Sequence, residues 1–245
     1  FSKSSFWNIQ PDYYQSQGTN AWNNSVPYHI TSSAKFTSSY ADMITAYAHD
    51  VLSTDPEANF AIFELGAACG KFSYRLLKQL VKRCEEEQLG KERFNYTMCD
   101  CSDSTIKFWQ THPQLESFVS LGILDFATLM VSNTHGIVFS KSTHSWKNTY
   151  VIIIANYFFD SIYHDAVGVE KEISYPYVCK NSSQSSIQSF SDCKLALDTS
   201  SQNAFDDAIR NDIAQDHAKH AITKFLLPTG CFDIADFFST HAKQV

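Results

Sequence analysis

The sequence predicts an α/β protein built on a doubly wound, mostly parallel sheet. Apolar strand patterns alternate with helical patterns up to Asp160, and a glycine turn joins the first strand to the helix after it. A β-branched run from Val151 to Ile154 is typical of a strand buried in a parallel sheet. The chain of 245 residues is 44% hydrophobic and only 18% charged, so it can bury a sizeable core.

The first half of the chain supplies the clearest elements. Residues 1–55 predict an N-terminal cover that is irregular over residues 1–30 and then forms a helix after a cap at Ser38 or Ser39. That helix is indicated by apolar residues at helical spacing: Tyr40, Met43, Ile44, Tyr47 and Val51. Phe60 to Leu65 predicts the first strand, and an amphipathic helix follows from Gly70.

Two further strands are predicted before the β-branched run. "RFNYTMCD", ending at Asp100, predicts the second strand, and a helix from Ser102 to Thr111 follows it until Pro113 ends the helix. "SFVSLGILDFA" predicts a third strand, or a strand plus a turn, that Asp125 and Phe126 close. The β-branched run is then expected to form a central strand.

The remainder of the chain departs from the alternating order. Within a single domain of residues 1–245, residues 165–245 predict an insertion followed by C-terminal helices. "EISYPYVCK" predicts a strand and residues 201–225 a long helix. We expect the sheet to be incomplete at the C-terminus, so that further residues, a partner strand or the strand near "EISYPYV" covers its apolar edge.

Composition narrows the class of partner. The net charge is −7 and no run of Lys or Arg forms a basic stripe, which argues against nucleic acid. No apolar run approaches the roughly 20 residues of a membrane helix, so no membrane partner is expected. Seven cysteines without a CxxC pair favour a reducing, cytoplasmic compartment. No metal is expected, because His217 and His220, near Asp216, lack a third spaced ligand.

The glycine turn is the first candidate for binding. Glycines at 66 and 70 let the backbone approach a ligand beyond the strand ends, where main-chain amides at the helix start are expected to hold it. The dinucleotide fingerprint G-x-G-x-x-G would require a glycine at position 68. An NAD-dependent oxidoreductase is therefore only the third hypothesis, and an ordinary tight turn remains an alternative.

An acid at the end of the second strand is the second candidate. The Asp100 carboxylate can accept hydrogen bonds from both ribose hydroxyls of a nucleoside cofactor. The alternative is a structural role, since Asp100, Ser102 or Asp103 could cap the helix that follows.

The segment "ELGAACGKF" resembles the first motif of class I S-adenosylmethionine-dependent methyltransferases, which have a Rossmann-like fold. The resemblance implies cofactor contacts at Glu64, Gly66, Ala67, Gly70 and, at the ribose, Asp100 and Cys101. It also implies that Asp125 and Phe126 flank the adenine, although Phe126 could equally be a core residue.

"VIIIANYFFDSI" is similar to the "ANEFFDALP" signature of the MidA family, whose mitochondrial members methylate arginine on a respiratory complex I subunit. "HITSS" at 29–33 and "KFLLPTG" at 224–230 resemble further family segments. The resemblance implies S-adenosylmethionine as cofactor, a protein substrate, and a location in the mitochondrial matrix as an alternative. Thr31 and Ser32 would line the cofactor cleft, and Asn156 and Asp160 would lie at the methyl-acceptor end, with Asn156 also touching the cofactor.

One position departs from that signature. Tyr157 stands where the family has glutamate, and a carboxylate there suits the orientation of an arginine nucleophile and the removal of its proton. The departure weakens the arginine assignment and motivates a second hypothesis, a non-catalytic S-adenosylmethionine-binding or assembly module. His164 beside Asp165 could supply a base, or be a surface residue.

Overall fold

The computed structural model describes residues 7, 9–24, 30–132, 136–140, 146, 149–170, 173–180, 194–197, 224–227 and 229–242. The chain forms two compact units. The larger unit comprises Pro11–Met130, Ile137–Phe158 and Ile234–Val245. The smaller unit comprises Phe1–Gln10, Val131–Gly136 and Phe159–Asp233. Whether the two units form the single domain expected from the sequence stays a prediction.

The described helices and strands alternate over much of the chain, which confirms the α/β class. The helices are α1 (Ile9–Gln17), α2 (Ala21–Asn24), α3 (Ala34–Thr54), α4 (Lys71–Glu86), α5 (Asp103–Gln110), α6 (Pro113–Ser120) and α7 (Thr229–His241). The strands are β1 (Phe60–Leu65), β2 (Phe94–Asp100), β3 (Leu124–Ser132), β4 (Gly136–Phe139), β5 (Tyr150–Ile154), β6 (Asp165–Glu170), β7 (Ile173–Lys180), β8 (Lys194–Leu197) and β9 (Lys224–Leu227). None of the helices in these ranges is both long and apolar enough to cross a bilayer.

The five-stranded sheet has the strand order β4-β3-β2-β1-β5. Strand β1 pairs in parallel with both β2 and β5, and β2 pairs in parallel with β3. The chain therefore steps outward from β1 through β2 to β3, and later places β5 on the opposite side of β1. In open α/β sheets such a reversal leaves a crevice beyond the carboxyl ends of the strands on either side of it.

Strand β1 is buried along its whole length and is covered on both faces. On one face Phe60 packs edge-on against Tyr47 of α3, with ring centroids 6.1 Å apart. Because side chains alternate along a strand, Phe63 points the other way and meets Phe238 of α7, with centroids 5.0 Å apart. The apolar run of β1 thus fits a strand with a helix on each side of the sheet.

The third strand begins later than the sequence pattern predicted. Residues 113–120 form α6 instead, because Pro113 fits the first helical turn and the His112 side chain accepts a hydrogen bond from the Gln114 amide. A turn through Gly122, with φ +74°, leads into β3. Asp125 and Phe126 therefore lie at the start of β3 rather than closing it.

Three other expectations are corrected at the level of the fold. Strand β5 lies at one end of the five-stranded sheet rather than at its centre, and Ile153 is 37% exposed. Helix α3 begins at Ala34, because Ser33 is its cap and accepts a hydrogen bond from the Phe36 amide. Much of the N-terminal cover predicted to be irregular is helical, as α1 and α2 show.

The smaller unit contains a four-stranded sheet in the order β8-β7-β6-β9, with all neighbours antiparallel. Its strand β7 confirms the strand predicted at "EISYPYVCK" and belongs to this second sheet. The predicted helix at 201–225 lies outside the described residues up to 223, as do His217 and His220, whereas residues 224 and 225 lie in β9.

Candidate functional site

The segment Gly66–Gly70, here called the glycine turn, connects β1 to α4. Gly66, Ala68 and Gly70 all have positive φ, at +71°, +55° and +74°. A Cβ on Gly70 would lie 2.9 Å from the Met98 methyl carbon and 3.2 Å from Trp109 Nε1. Glycine is therefore needed at position 70 both for its backbone conformation and for the close approach of the core.

The turn is fastened to the end of β2 by its own backbone. The Ala67 amide donates to the Cys99 carbonyl at 2.9 Å, and the Ala68 amide donates to Asp100 Oδ2 at 3.1 Å. The Gly70 amide closes the turn onto the Ala67 carbonyl. These three N–H groups are thus used within the protein, contrary to the expectation that such amides hold a ligand. The half-buried residues of the turn are Gly66, Ala68 and Cys69.

Asp100 connects the glycine turn to α5. Its Oδ2 accepts from the Ala68 amide, and its Oδ1 accepts from the Ser102 amide at 3.0 Å. Burial raises the pKa of Asp100, and the hydrogen bonds from Ser102 and Ala68 oppose that rise. The backbone N–H and the thiol of Cys101 also donate hydrogen bonds to this half-buried carboxylate, so four protein donors share its two oxygens. The cap of α5 is Ser102, whose Oγ accepts from the Thr105 amide.

Glu64 lies beneath the glycine turn and is only 5% exposed. Its Oε2 accepts hydrogen bonds from the Ser73 hydroxyl of α4 and from the Tyr96 hydroxyl of β2, the latter at 2.7 Å. Burial raises the pKa of Glu64 to about 7 against these two hydrogen bonds, and the charge of Asp100 raises it further. Because its hydrogen bonds are internal, we assign Glu64 to support of the turn rather than to ligand contact.

The raised pKa of Glu64 makes the free energy of unfolding depend on pH. The folded carboxyl keeps its proton up to about pH 7, whereas the unfolded one releases it near 4.5, so the folded state binds more protons between these values. Stability from this group is complete below about pH 4.5 and is lost as the pH rises through 7. Between pH 5 and pH 8, the free energy of unfolding should fall by about 1–3 kcal/mol less in Glu64→Gln than in the parent protein, as measured by urea unfolding.

A matched control for this change is Glu57→Gln, which alters an exposed glutamate in the loop before β1. It should leave the pH dependence of unfolding as it is in the parent protein. A parallel decline in the parent and in Glu64→Gln would show that Glu64 does not carry the effect.

Thr31 and Ser32, predicted to line the cleft, lie in the turn before α3. Ser32 is 2% exposed, and its carbonyl accepts a hydrogen bond from the Arg75 guanidinium of α4. Thr31 is half-buried. Because Arg75 lies on the helix that begins at the glycine turn, the structure connects Ser32 to the candidate site through α4.

Asn156 lies just beyond β5, on the other side of β1 from Asp100. The Tyr40 hydroxyl of α3 donates to Asn156 Oδ1 at 2.8 Å. The ring of Phe158 lies 3.2 Å from where a Cβ on Gly66 would be. Between these two fixed residues, Tyr157 has φ +53° and is 74% exposed. Sequence reasoning missed Tyr40, whose helical spacing indicated only a buried helix face.

Other candidate residues are placed differently. Asp125 pairs in register with Thr97, whereas Thr128 lies level with Asp100. Phe126 packs against Trp109, with ring centroids 6.1 Å apart. These positions remove the geometric basis for placing Asp125 and Phe126 at the carboxyl edge of the sheet, so their adenine role stays a prediction without positional support.

Cys101, Asp160 and His164 complete the candidate set. Cys101 is half-buried, and burial together with the charge of Asp100 raises the pKa of its thiol to about 12. Asp160 is exposed in a short 3₁₀ turn of the smaller unit. His164 Nδ1 lies 2.8 Å from the Ile162 carbonyl oxygen, and its ring stacks on Trp7. The described residues contain no cluster of three or more potential metal ligands.

Comparison of the chain with models of known protein families and with curated proteins found no match. The function of the chain is therefore inferred from the arrangement of the residues described above.

Proposed function

We propose that the chain is a class I S-adenosylmethionine-dependent methyltransferase with a Rossmann-like doubly wound sheet, related to the MidA family and acting on a protein side chain. One observation supports this most directly: three adjacent parallel strands end at a single edge with Asp100, the glycine turn and Asn156. The register pairs Leu65 with Cys99 and Glu64 with Ile154. Asp100, Gly66 and Asn156, which come one or two residues later in the chain, therefore lie at the same level of the sheet.

The donors and acceptors at this edge fit a nucleoside cofactor. The Asp100 carboxylate can accept from the two vicinal hydroxyls of a ribose in place of the Cys101 amide and thiol, which donate to it in this structure. Gly66 carries no side chain, and the Phe158 ring packs where its Cβ would be, so Phe158 would border a cofactor at the turn. Bound S-adenosylmethionine would supply a methyl group activated by a sulfonium sulfur, while Asn156 would orient the group that receives it.

The competing dinucleotide assignment fits less well. The fingerprint requires a glycine where Ala68 stands, because the backbone there must approach a pyrophosphate closely. Ala68 carries a Cβ, and its amide is already bonded to Asp100. Calorimetric titration is expected to show S-adenosylhomocysteine binding and no comparable heat with NAD. Tighter binding of NAD, or no binding of either S-adenosylmethionine or S-adenosylhomocysteine, would reject the proposal.

A second candidate is a non-catalytic module that binds the cofactor or assists assembly. The exposed Tyr157 favours it, because no carboxylate occupies the position where the resembled signature has glutamate. Incubation with S-adenosylmethionine and peptides bearing arginine, lysine or glutamine distinguishes the two. The enzyme should release S-adenosylhomocysteine with at least one peptide, whereas the module should gain thermal stability from the cofactor without forming product.

A further inference from the structure

The contact between Tyr40 and Asn156 joins residues that lie 116 positions apart in the chain. The Tyr40 ring is held edge-on by Phe72 at 5.3 Å and lies 5.1 Å from Phe36, measured between centroids. Packing therefore fixes where the hydroxyl lies. Burial raises the pKa of Tyr40, and this rise outweighs the opposing effect of the hydrogen bond with Asn156, so the phenol retains the proton that it donates.

This hydrogen bond orients the carboxamide of Asn156. A carboxamide carries an acceptor oxygen on one branch and an NH₂ group, with two donors, on the other. Because the Tyr40 hydroxyl donates to Oδ1 at 2.8 Å, Nδ2 lies on the branch directed away from the hydroxyl. Within the part of the chain that the structure describes, Tyr40 is the side chain that bonds Asn156.

We propose that Tyr40 is a positioning residue that presents the Nδ2 donors of Asn156 to the ligand, so that the group received there is a hydrogen-bond acceptor such as the carbonyl oxygen of a side-chain amide. This rests on the proposed function, which places the methyl-acceptor end of the site at Asn156. Guanidinium and ammonium groups offer only donors, and they would face the donors of Asn156. The absence of a carboxylate from Asn156, Tyr157 and Phe158 agrees with this preference.

Two cofactor analogues test the donor arrangement without a known substrate. S-adenosylhomocysteine carries no group at the position of the transferred methyl, whereas sinefungin carries a protonated amine there. In the parent protein, sinefungin should bind no more tightly than S-adenosylhomocysteine. Tyr40→Phe frees the carboxamide to turn Oδ1 toward the amine, and the ratio of the two dissociation constants should shift by about 3- to 10-fold in favour of sinefungin.

Tyr47→Phe is the matched control, because Tyr47 is a second, more exposed tyrosine of α3 whose ring packs on Phe60. It should leave the ratio within about 2-fold of the parent, and so should any change that acts only through the fold. Asn156→Asp provides a second variant with nearly the same shape. Its carboxylate can accept from Tyr40 with one oxygen and from the amine with the other, so the ratio should shift toward sinefungin by about 10-fold or more.

Shifts in both Tyr40→Phe and Asn156→Asp would support the inference. An unchanged ratio in Asn156→Asp would show that Asn156 does not meet the ligand, and an unchanged ratio in Tyr40→Phe alone would show that Tyr40 does not set its orientation. Either result overturns the inference while leaving cofactor binding intact. Failure of the parent protein to bind either analogue overturns both the inference and the proposed function.

Discussion

Asp100→Asn is expected to weaken S-adenosylhomocysteine binding by about 10- to 100-fold and to lower the free energy of unfolding by about 2–4 kcal/mol. An asparagine offers one acceptor oxygen, so either the Ala68 or the Ser102 amide loses its partner and faces an NH₂ group. The ribose hydroxyls lose a charged acceptor at the same time. Calorimetric titration measures the first effect, and urea unfolding measures the second.

Asp103→Asn is the control for this substitution. Asp103 is an exposed acid in the first turn of α5, so it matches the change in charge close to Asp100 without touching the glycine turn. Loss of the Asp103 charge should lower the free energy of unfolding by only about 0.3–1 kcal/mol, through its interaction with the helix dipole. The affinity for S-adenosylhomocysteine should not change. If Asp100→Asn lowered stability but left affinity as in the parent, Asp100 would be a structural residue and the ribose would lie elsewhere.

Gly70→Ala is expected to lower the free energy of unfolding by about 2–4 kcal/mol. About 1–2 kcal/mol comes from forcing a residue with a Cβ to φ +74°. The remainder comes from the new methyl, 2.9 Å from the Met98 methyl carbon and 3.2 Å from Trp109 Nε1. Both neighbours are buried, so their displacement also disturbs the hydrogen bond from Trp109 to the Ala68 carbonyl. Urea unfolding followed by circular dichroism measures the loss.

Gly122→Ala separates backbone strain from crowding. Gly122 has the same φ of +74°, but a Cβ there would meet no heavy atom within 4 Å. This variant should therefore show only the loss of about 1–2 kcal/mol that the left-handed conformation imposes. Equal losses at the two positions would mean that the core around Met98 and Trp109 adjusts without cost.

Local patterns predicted β1 and the helix that follows it well. Phe60–Leu65 and the helix after Gly70 were confirmed because strand, turn and helix signals lie within one short stretch of sequence. The third strand was mispredicted because Phe118 and Val119, which lie in the last turns of α6, were taken as part of an apolar strand. Pro113 after His112 was the available signal for a helix start.

Contacts between distant segments could not be predicted. The sequence left Asp100 as either a ribose ligand or a helix cap, and its bond to the Ala68 amide joins residues 32 positions apart. The bond from Tyr40 to Asn156 likewise depends on how α3 packs beside β5, which no periodicity shows. The sequence could therefore indicate which residues lie at the strand ends, but it could not indicate the hydrogen bonds that orient them.

The ties of the glycine turn to Cys99, Asp100 and Trp109 make it preorganised. Ordering one loop residue on binding costs roughly 1–2 kcal/mol, and the proposed cofactor would not incur that cost here because the turn is already ordered by folding. The indole of Trp109 also connects α5 to the glycine turn, because its Nε1 donates a hydrogen bond to the Ala68 carbonyl. If the proposed cofactor binds at this turn, substitutions on the buried side of that helix would change its affinity without altering any atom that the cofactor touches.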